Sequence, residues 1–273
     1  MNNANDIKFR CSSLGYIMTD ARSKSEVISE TAKTHCVDVF ISAKYGRREE
    51  ISGKFLDKGN EREEDAITLV SRLTKIFYKK NDIRLSNDFI SGEPDLFLGK
   101  SIHQADETTD TKCSWSAHTF FRAQKEAINK NYYWQGMGYM ALTGAKKHTL
   151  SYCLVNGTGS AIMNEKRILS YQDGMMDAAG NPSEIYKRKA AQIEVNHIFD
   201  LEAFKAEYPG FDFDSDISEW NYDIPMEERL YSVTFERNEE EIQKIYDRVS
   251  DCRKWIDANL FKMPVFKMQV ELV

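Results

Sequence analysis

Between residues 83 and 115 the chain stops repeating its apolar residues every three or four positions. It breaks instead into short β-like runs separated by Gly92, Pro94 and Gly99. This switch of period, with helical patterns on either side, constrains the fold more than any other feature. It calls for a sheet built in the middle of the chain and covered by helices. The runs at 83–90, 95–98 and 108–115 predict three strands of a β-meander. Upstream, Ser12 and Ser13 can cap a short helix carrying Leu14, Ile17 and Met18, and a second helical pattern spans 25–39. A third, over 57–79, sets Ala66, Leu69, Val70, Leu73, Ile76 and Phe77 on one face. Helices at 117–128 and 132–142 and an apolar strand at 148–155 follow. The expected class is α/β (α+β), with a mixed central sheet flanked by helices.

With 41% hydrophobic residues, 14 Gly and 5 Pro, the 273 residues exclude a collagen-like or disordered chain. No internal repeat or Gly/Ser linker divides them, which predicts one domain with a peripheral, partly helical extension over 158–273. In that extension helices are expected at 183–197 and 201–208, an edge strand at 230–235, and a helix opened by Asn238 with Glu241. The acidic, aromatic stretch 207–228 is expected as a surface loop or a wrapping segment. The net charge of −6 excludes a polycationic surface, so nucleic acid would need a local basic groove. Five scattered cysteines without a CxxC pair predict reduced thiols. The lack of a signal-like N-terminus or a long apolar run predicts a cytoplasmic protein without a membrane partner.

The chemistry concentrates in SGEPDLFLGKSIHQADETTDTKCSW, residues 91–115. Asp95 follows Pro94, and Asp110, Thr111 and Lys112 lie in the next strand-like run. Alternation puts Asp110 and Lys112 on one face, about 6.5–7 Å apart along the strand, with Thr111 on the other. Two carboxylates from neighbouring strands can hold a hard divalent ion such as Mg2+, and an ammonium beside them can orient or help deprotonate a water. A phosphodiester is the fitting target, because its transition state gathers negative charge. The same residues also fit a turn aspartate and an exposed strand ion pair. Two further patterns stand around them. Gly59, Glu63 and Ala66 open the helix before the sheet, and Gln135 and Tyr139 share one helical face at i and i+4.

Together these residues resemble the PD-(D/E)xK nucleases, in particular their lambda-exonuclease-like and RecB-like branch of phage and prophage type. The order of that branch, a helix Glu, then Asp, then (D/E)xK, then QxxxY, is met by Glu63, Glu93-Pro94-Asp95, Asp110-Thr111-Lys112 and Gln135 with Tyr139. The likeness covers residues 8–155 and includes the runs FRCSSLGYIMT and YYWQGMGYMALTG. It implies a restriction-endonuclease-like core and a metal-dependent DNA exonuclease that resects one strand of duplex DNA from its end for recombination. By the same resemblance Asp95, Asp110 and the Thr111 carbonyl ligate Mg2+, with Mn2+ as a substitute. Lys112 positions or activates the attacking water, Glu63 serves a second metal ion or a water in its shell, and Gln135 and Tyr139 hold the DNA backbone. A ring-shaped homotrimer and a single-strand annealing protein or recombinase as partner are also implied. The alternatives are a structure- or sequence-specific endonuclease on the same fold and a non-catalytic DNA- or partner-binding protein.

Further DNA contacts are offered by Ser114 and Ser116, by the basic run at Lys44, Arg47 and Arg48, and by KIFYKKNDIR at 75–84, with Tyr45, Phe77 or Tyr78 available for stacking. Ordinary strand-end and solvated-helix roles fit these residues as well, and Trp115 and Trp134 suit a core. Other motifs fail. Pro94 stands where a phosphate-binding loop ending at Gly99-Lys100-Ser101 needs its first Gly, and Gly157-Thr158-Gly159 reads as a plain loop. Asp212, Asp214 and Asp216 imitate a calcium loop, but Ile217 takes the position that requires Gly. No HExxH or GxSxG is present.

Overall fold

A computed structural model of the chain describes residues 3–49, 53–126, 128–214 and 219–262, with the backbone alone at 54–56. The helical first part runs α1 (Leu14–Ile17), α2 (Glu30–Tyr45), α3 (Lys54–Glu61) and α4 (Glu63–Thr74). The second helix starts at Ser29 because its hydroxyl accepts the Ala32 N–H at 3.0 Å, a cap of about 1 kcal/mol. The third expected helix is two. Arg62 leaves helical geometry (φ −114°, ψ 10°), and its guanidinium is tied to Asp65, Glu207, Tyr208 and the Gly157 carbonyl. α4 then stops at Lys75, whose φ of 59° is left-handed, so Ile76 and Phe77 lie beyond the helix and not on its apolar face. Their three- and four-residue spacing misled because a C-terminal stop by a lysine carries no sequence signal.

The strands are β1 (Phe9–Arg10), β2 (Lys79–Lys80), β3 (Leu85–Ser86), β4 (Ile90–Gly92), β5 (Leu96–Gly99), β6 (Ala105–Cys113), β7 (Lys147–Cys153) and β8 (Leu230–Glu236). They form two sheets in place of one meander, β1-β4-β3 and β2-β5-β6-β7-β8, each with one parallel pair, β1 with β4 and β6 with β7. The chain passes from the first sheet to the second at Pro94, which has no N–H to give to a ladder. Helices α5 (Ala117–Ala123) and α6 (Lys130–Thr143) make the crossover between β6 and β7.

α6 is wedged between the sheets, touching β4 on one side and β6 and β7 on the other. Its glycines permit that approach. A Cβ on Gly136 would stand 2.5 Å from His148 Cδ2 and 2.6 Å from Phe235, and one on Gly138 would stand 2.8 Å from Cys11 Sγ. α4 covers the opposite face of the larger sheet, where Ala66, Leu69 and Val70 pack with Cys153 and Val155.

In the C-terminal region β8 is the edge strand expected at 230–235, while the helix opened by Asn238 enters the core. β8 pairs with the whole of β7, from Lys147 opposite Glu236 to Cys153 opposite Leu230. Helix α10 (Glu239–Ile256), capped by Asn238 at the Glu240 and Glu241 N–H groups, sends Ile245, Val249, Cys252 and Ile256 into the main core beside Phe9, Leu14 and Met137. Each such buried aliphatic side chain contributes about 1.5–3 kcal/mol. Between β7 and β8 lie α7 (Gly159–Ser170), α8 (Glu184–His197) and α9 (Leu201–Glu207). The expected loop at Gly157-Thr158-Gly159 is the cap of α7, since Thr158 Oγ1 accepts the Ala161 N–H. Phe211, Phe213 and Trp220 fold onto Ile162, Phe204 and Tyr222, so the described part of 207–228 is a wrapping segment. Among the described residues no helix is long and apolar enough to cross a membrane.

Candidate active site

β5 and β6 run antiparallel with Leu96 opposite Thr109, and the next step of that register sets Asp95 opposite Asp110. Residues fifteen apart in sequence thus present two carboxylates side by side. Thr111 secures the first: its N–H donates to Asp95 Oδ2 at 2.7 Å and its hydroxyl donates to the same oxygen at 3.0 Å. Asp110, 2% exposed, accepts from Lys112 Nζ and from Gln135 Nε2 (3.1 Å), again through Oδ2. Gln135 Nε2 also donates to the Tyr139 hydroxyl at 2.8 Å, so the i, i+4 pair on α6 is a clamp on Asp110. On both carboxylates every hydrogen bond falls on Oδ2. Oδ1 of each has no hydrogen-bond partner among the described residues.

Two negative groups this close oppose each other. Burial, followed by the charge of Asp110, pushes the Asp95 carboxyl up to about 7, against the pull of Lys112 and the Thr111 donors. Burial also works against the charge on Lys112, but the Asp110 and Asp95 carboxylates more than offset it and hold the amine above its ordinary value. The two carboxylates thus favour the ammonium form of Lys112.

Asp95 opens into a cavity of about 400 Å³, also lined by Glu63, Asn81, Tyr139, Arg10 and Arg84. Glu63 is on its wall but does not join the aspartates: its carboxylate is 3.4 Å from Lys80 Nζ, which also bonds Glu64. Among the described residues no three His, Cys, Asp or Glu side chains are gathered into a ligand group. The donor set of the pair is nonetheless suited to a hard cation, with two carboxylates, both Oδ1 atoms without a hydrogen bond, and no nitrogen or sulfur donor between them.

The fold has solved counterparts. The phage-related exonuclease from Haemophilus somnus 129PT aligns over 94% of this chain and 97% of its own, with a TM-score of 0.66 and 26% sequence identity. The alkaline exonuclease from Laribacter hongkongensis aligns over 93% and 90%, with a TM-score of 0.55 at 13% identity, and its complex with dAMP aligns at 14%. No family model and no curated protein matches the sequence. The fold is that of the lambda-exonuclease-like PD-(D/E)xK nucleases.

On this exonuclease fold the remaining expected contacts separate. Gln135 and Tyr139 are 6% and 4% exposed; Gln135 donates to Asp110 and to the Tyr139 hydroxyl, and Tyr139 also lines the cavity. Ser114 is buried at the end of β6, where its carbonyl accepts from Lys58 Nζ at 2.8 Å. Arg47 and Arg48 are exposed past the end of α2, away from the cavity lining, and Arg48 donates to Ser42. Lys44 lies over the Phe40, Tyr45 and Phe261 rings and packs there. Trp134 packs on the main core, and Trp115 meets His197 edge-on at 4.7 Å. Asp214 pairs with Lys166, as a structural tie, while Asp216 and Ile217 of the imitated calcium loop lie outside the described residues.

Asn81 and Arg84 of the basic run 75–84, and Lys58, complete the surroundings of the site. Asn81 takes its N–H to the Asp95 carbonyl (2.9 Å) and its side-chain amide to that of Pro94 (3.0 Å), fixing the turn that carries Asp95. Its place in a polar turn, Asn-Asp, was the available signal. Arg84 pairs with Glu93 at 3.1 Å on the cavity wall. Lys58 is buried, and burial pulls its amine down to about 7 while it bridges α3 to the Ser114 and Trp115 carbonyls. Nothing in its sequence context marks it.

Proposed function

We infer that the chain is a DNA exonuclease that hydrolyses phosphodiester bonds with Mg2+, or Mn2+ in its place, at the Asp95–Asp110 pair. The observation that carries this reading is the convergence of Asp95, Asp110, Lys112 and Gln135 at one end of β5 and β6, next to an open cavity, on a fold shared with exonucleases. A divalent ion there would supply Lewis-acid stabilisation of the phosphate charge. The chain's own residues do the rest. Thr111 and Gln135 hold the two carboxylates with both Oδ1 atoms available, and the Lys112 ammonium adds positive charge and donates to the attacking water. Glu63, at the cavity wall, would serve a second ion or a water in its shell once it is released from Lys80.

Ends of double-stranded DNA are the proposed substrate, in keeping with neighbours named as exonucleases, one of them solved with dAMP. Resection for recombination, a ring trimer, an annealing partner or recombinase, and a cytoplasmic setting complete the proposal on the strength of the resemblance. Purified protein given linear and closed circular duplex, with Mg2+ or with EDTA, tests it. Digestion of the linear form alone, lost in EDTA and in Lys112→Ala, is expected. Equal cutting of the circle would make it an endonuclease, and binding without cutting in Mg2+ would make it a binding protein.

A further inference from the structure

Phe77 is 97% exposed, the most solvent-facing large apolar side chain among the described residues. Burying a phenyl ring is worth about 1.5–3 kcal/mol, so a ring left in water on a well-anchored segment forgoes that gain. The segment is held on both sides. Before it, Lys75 adopts the left-handed conformation that ends α4 and turns the chain outward. After it, Tyr78 packs against the Ala66, Leu69 and Val70 cluster, Lys79 and Lys80 pair with Phe97 and Leu96 in β2, and Asn81 is bonded to the Asp95 and Pro94 carbonyls. Of the three aromatic rings the sequence offers for stacking, Tyr78 is thus engaged in packing and Tyr45 lies edge-on to Phe40. Phe77 alone of these is presented bare.

The surroundings indicate what the ring meets. Residues 75–84 carry Lys75, Lys79, Lys80 and Arg84; Lys80 is paired with Glu63 and Glu64, Arg84 with Glu93, and Lys79 donates to the Gly99 and Lys100 carbonyls, so Lys75, two residues before the ring, is the cation of this run with no ion pair among the described residues. Asn81 and Arg84 at the far end of this segment line the cavity that holds Asp95. Four residues of chain span at most about 14 Å, so Phe77 lies within two or three nucleotides of a phosphate placed in that cavity. A ring flanked by lysines fits a strand with free base faces and phosphates, and duplex interiors offer no free face. We propose that Phe77 is a base-stacking contact of the exonuclease, taking the exposed face of an unpaired or terminal base next to the strand being cut, while Lys75 meets a flanking phosphate. The inference rests on the nuclease reading above.

The test is equilibrium binding of the full chain, in EDTA so that nothing is cut, to three DNAs that each carry 2-aminopurine: a single strand, a duplex with an overhang and a blunt duplex. Stacking quenches the probe's fluorescence. Phe77→Ala is expected to lose the quenching and to weaken binding about 5- to 100-fold, and Phe77→Trp to retain both. Comparison of the three DNAs tells whether the base face belongs to a loose strand or to a terminal pair. Unchanged binding and quenching in Phe77→Ala would overturn the proposal. So would a change in sedimentation on the same substitution, since the ring would then be covered by a second copy of the chain. If wild type digests DNA and Phe77→Ala has no effect on binding, this inference fails alone; if wild type neither binds nor digests DNA, the nuclease reading fails with it.

Discussion

Replacing Lys112 by Met keeps most of the side-chain volume and removes the cation bonded to Asp110. Asp110 is then left 2% exposed with Gln135 as its remaining donor, beside a second carboxylate. Breaking a buried ion pair costs about 3–5 kcal/mol, whereas exposed pairs are worth about 0–1. The Lys112 side chain is a quarter exposed, so a loss of about 3 kcal/mol is expected. For a chain of this size that is a fall in melting temperature of about 6–12 °C. Because the missing charge is positive, a divalent cation at the same carboxylates should restore part of it, about 2.7 kcal/mol at a hundredfold excess over its dissociation constant. Circular-dichroism melts of wild type and Lys112→Met near neutral pH, in EDTA and in Mg2+, read both effects, and digestion of linear duplex reads the loss of cutting. A variant as stable as wild type in EDTA, or one that Mg2+ does not stabilise beyond wild type, would refute the account of Lys112 as counter-charge to the aspartates.

Gln135→Leu removes a donor to a charged acceptor, and a fall in turnover of about 10- to 100-fold with unchanged DNA affinity is expected from single-turnover digestion and anisotropy. Asp95→Asn and Asp110→Asn should each end cutting while duplex binding persists and stays steeply salt-dependent, as filter binding across a salt series will measure. Gly136→Ala drives a methyl into His148 and Phe235 and is expected to destabilise by about 1–3 kcal/mol in urea titrations. Burial, with the Lys112 charge adding to it, pulls His148 down to about 3, so it is neutral in the folded chain, whereas the unfolded chain takes up a proton below its ordinary value of 6.5. Its contribution to stability is full above pH 6.5 and is lost as the pH falls from there toward 3, by at most about 1.4 kcal/mol per pH unit. Urea midpoints over that range should fall less steeply for His148→Gln than for wild type.

What the linear chain disclosed was whatever depends on neighbours in sequence. Alternation in a strand put Asp110 and Lys112 on one face, and the i, i+4 spacing on α6 put Gln135 and Tyr139 together, because these periods follow from backbone geometry alone. The helices at 117–128 and 132–142 and the strands around Asp110 and at 148–155 were legible for the same reason. The break at Arg62 was not, since its partners Glu207 and Tyr208 are more than 140 residues away. Glu63 was singled out for a second metal ion, but its engagement by Lys80 depends on β2 joining the sheet, which no local pattern announces. Likewise α10, expected at the periphery, completes the core through contacts with Phe9 and Leu14. Order along the chain settles which side chains are available for phosphodiester chemistry and the short-range geometry of each pair. Tertiary structure decided which of them face one another, which oxygens stay free and which charges are already taken, because burial and pairing between distant segments belong to the folded chain as a whole.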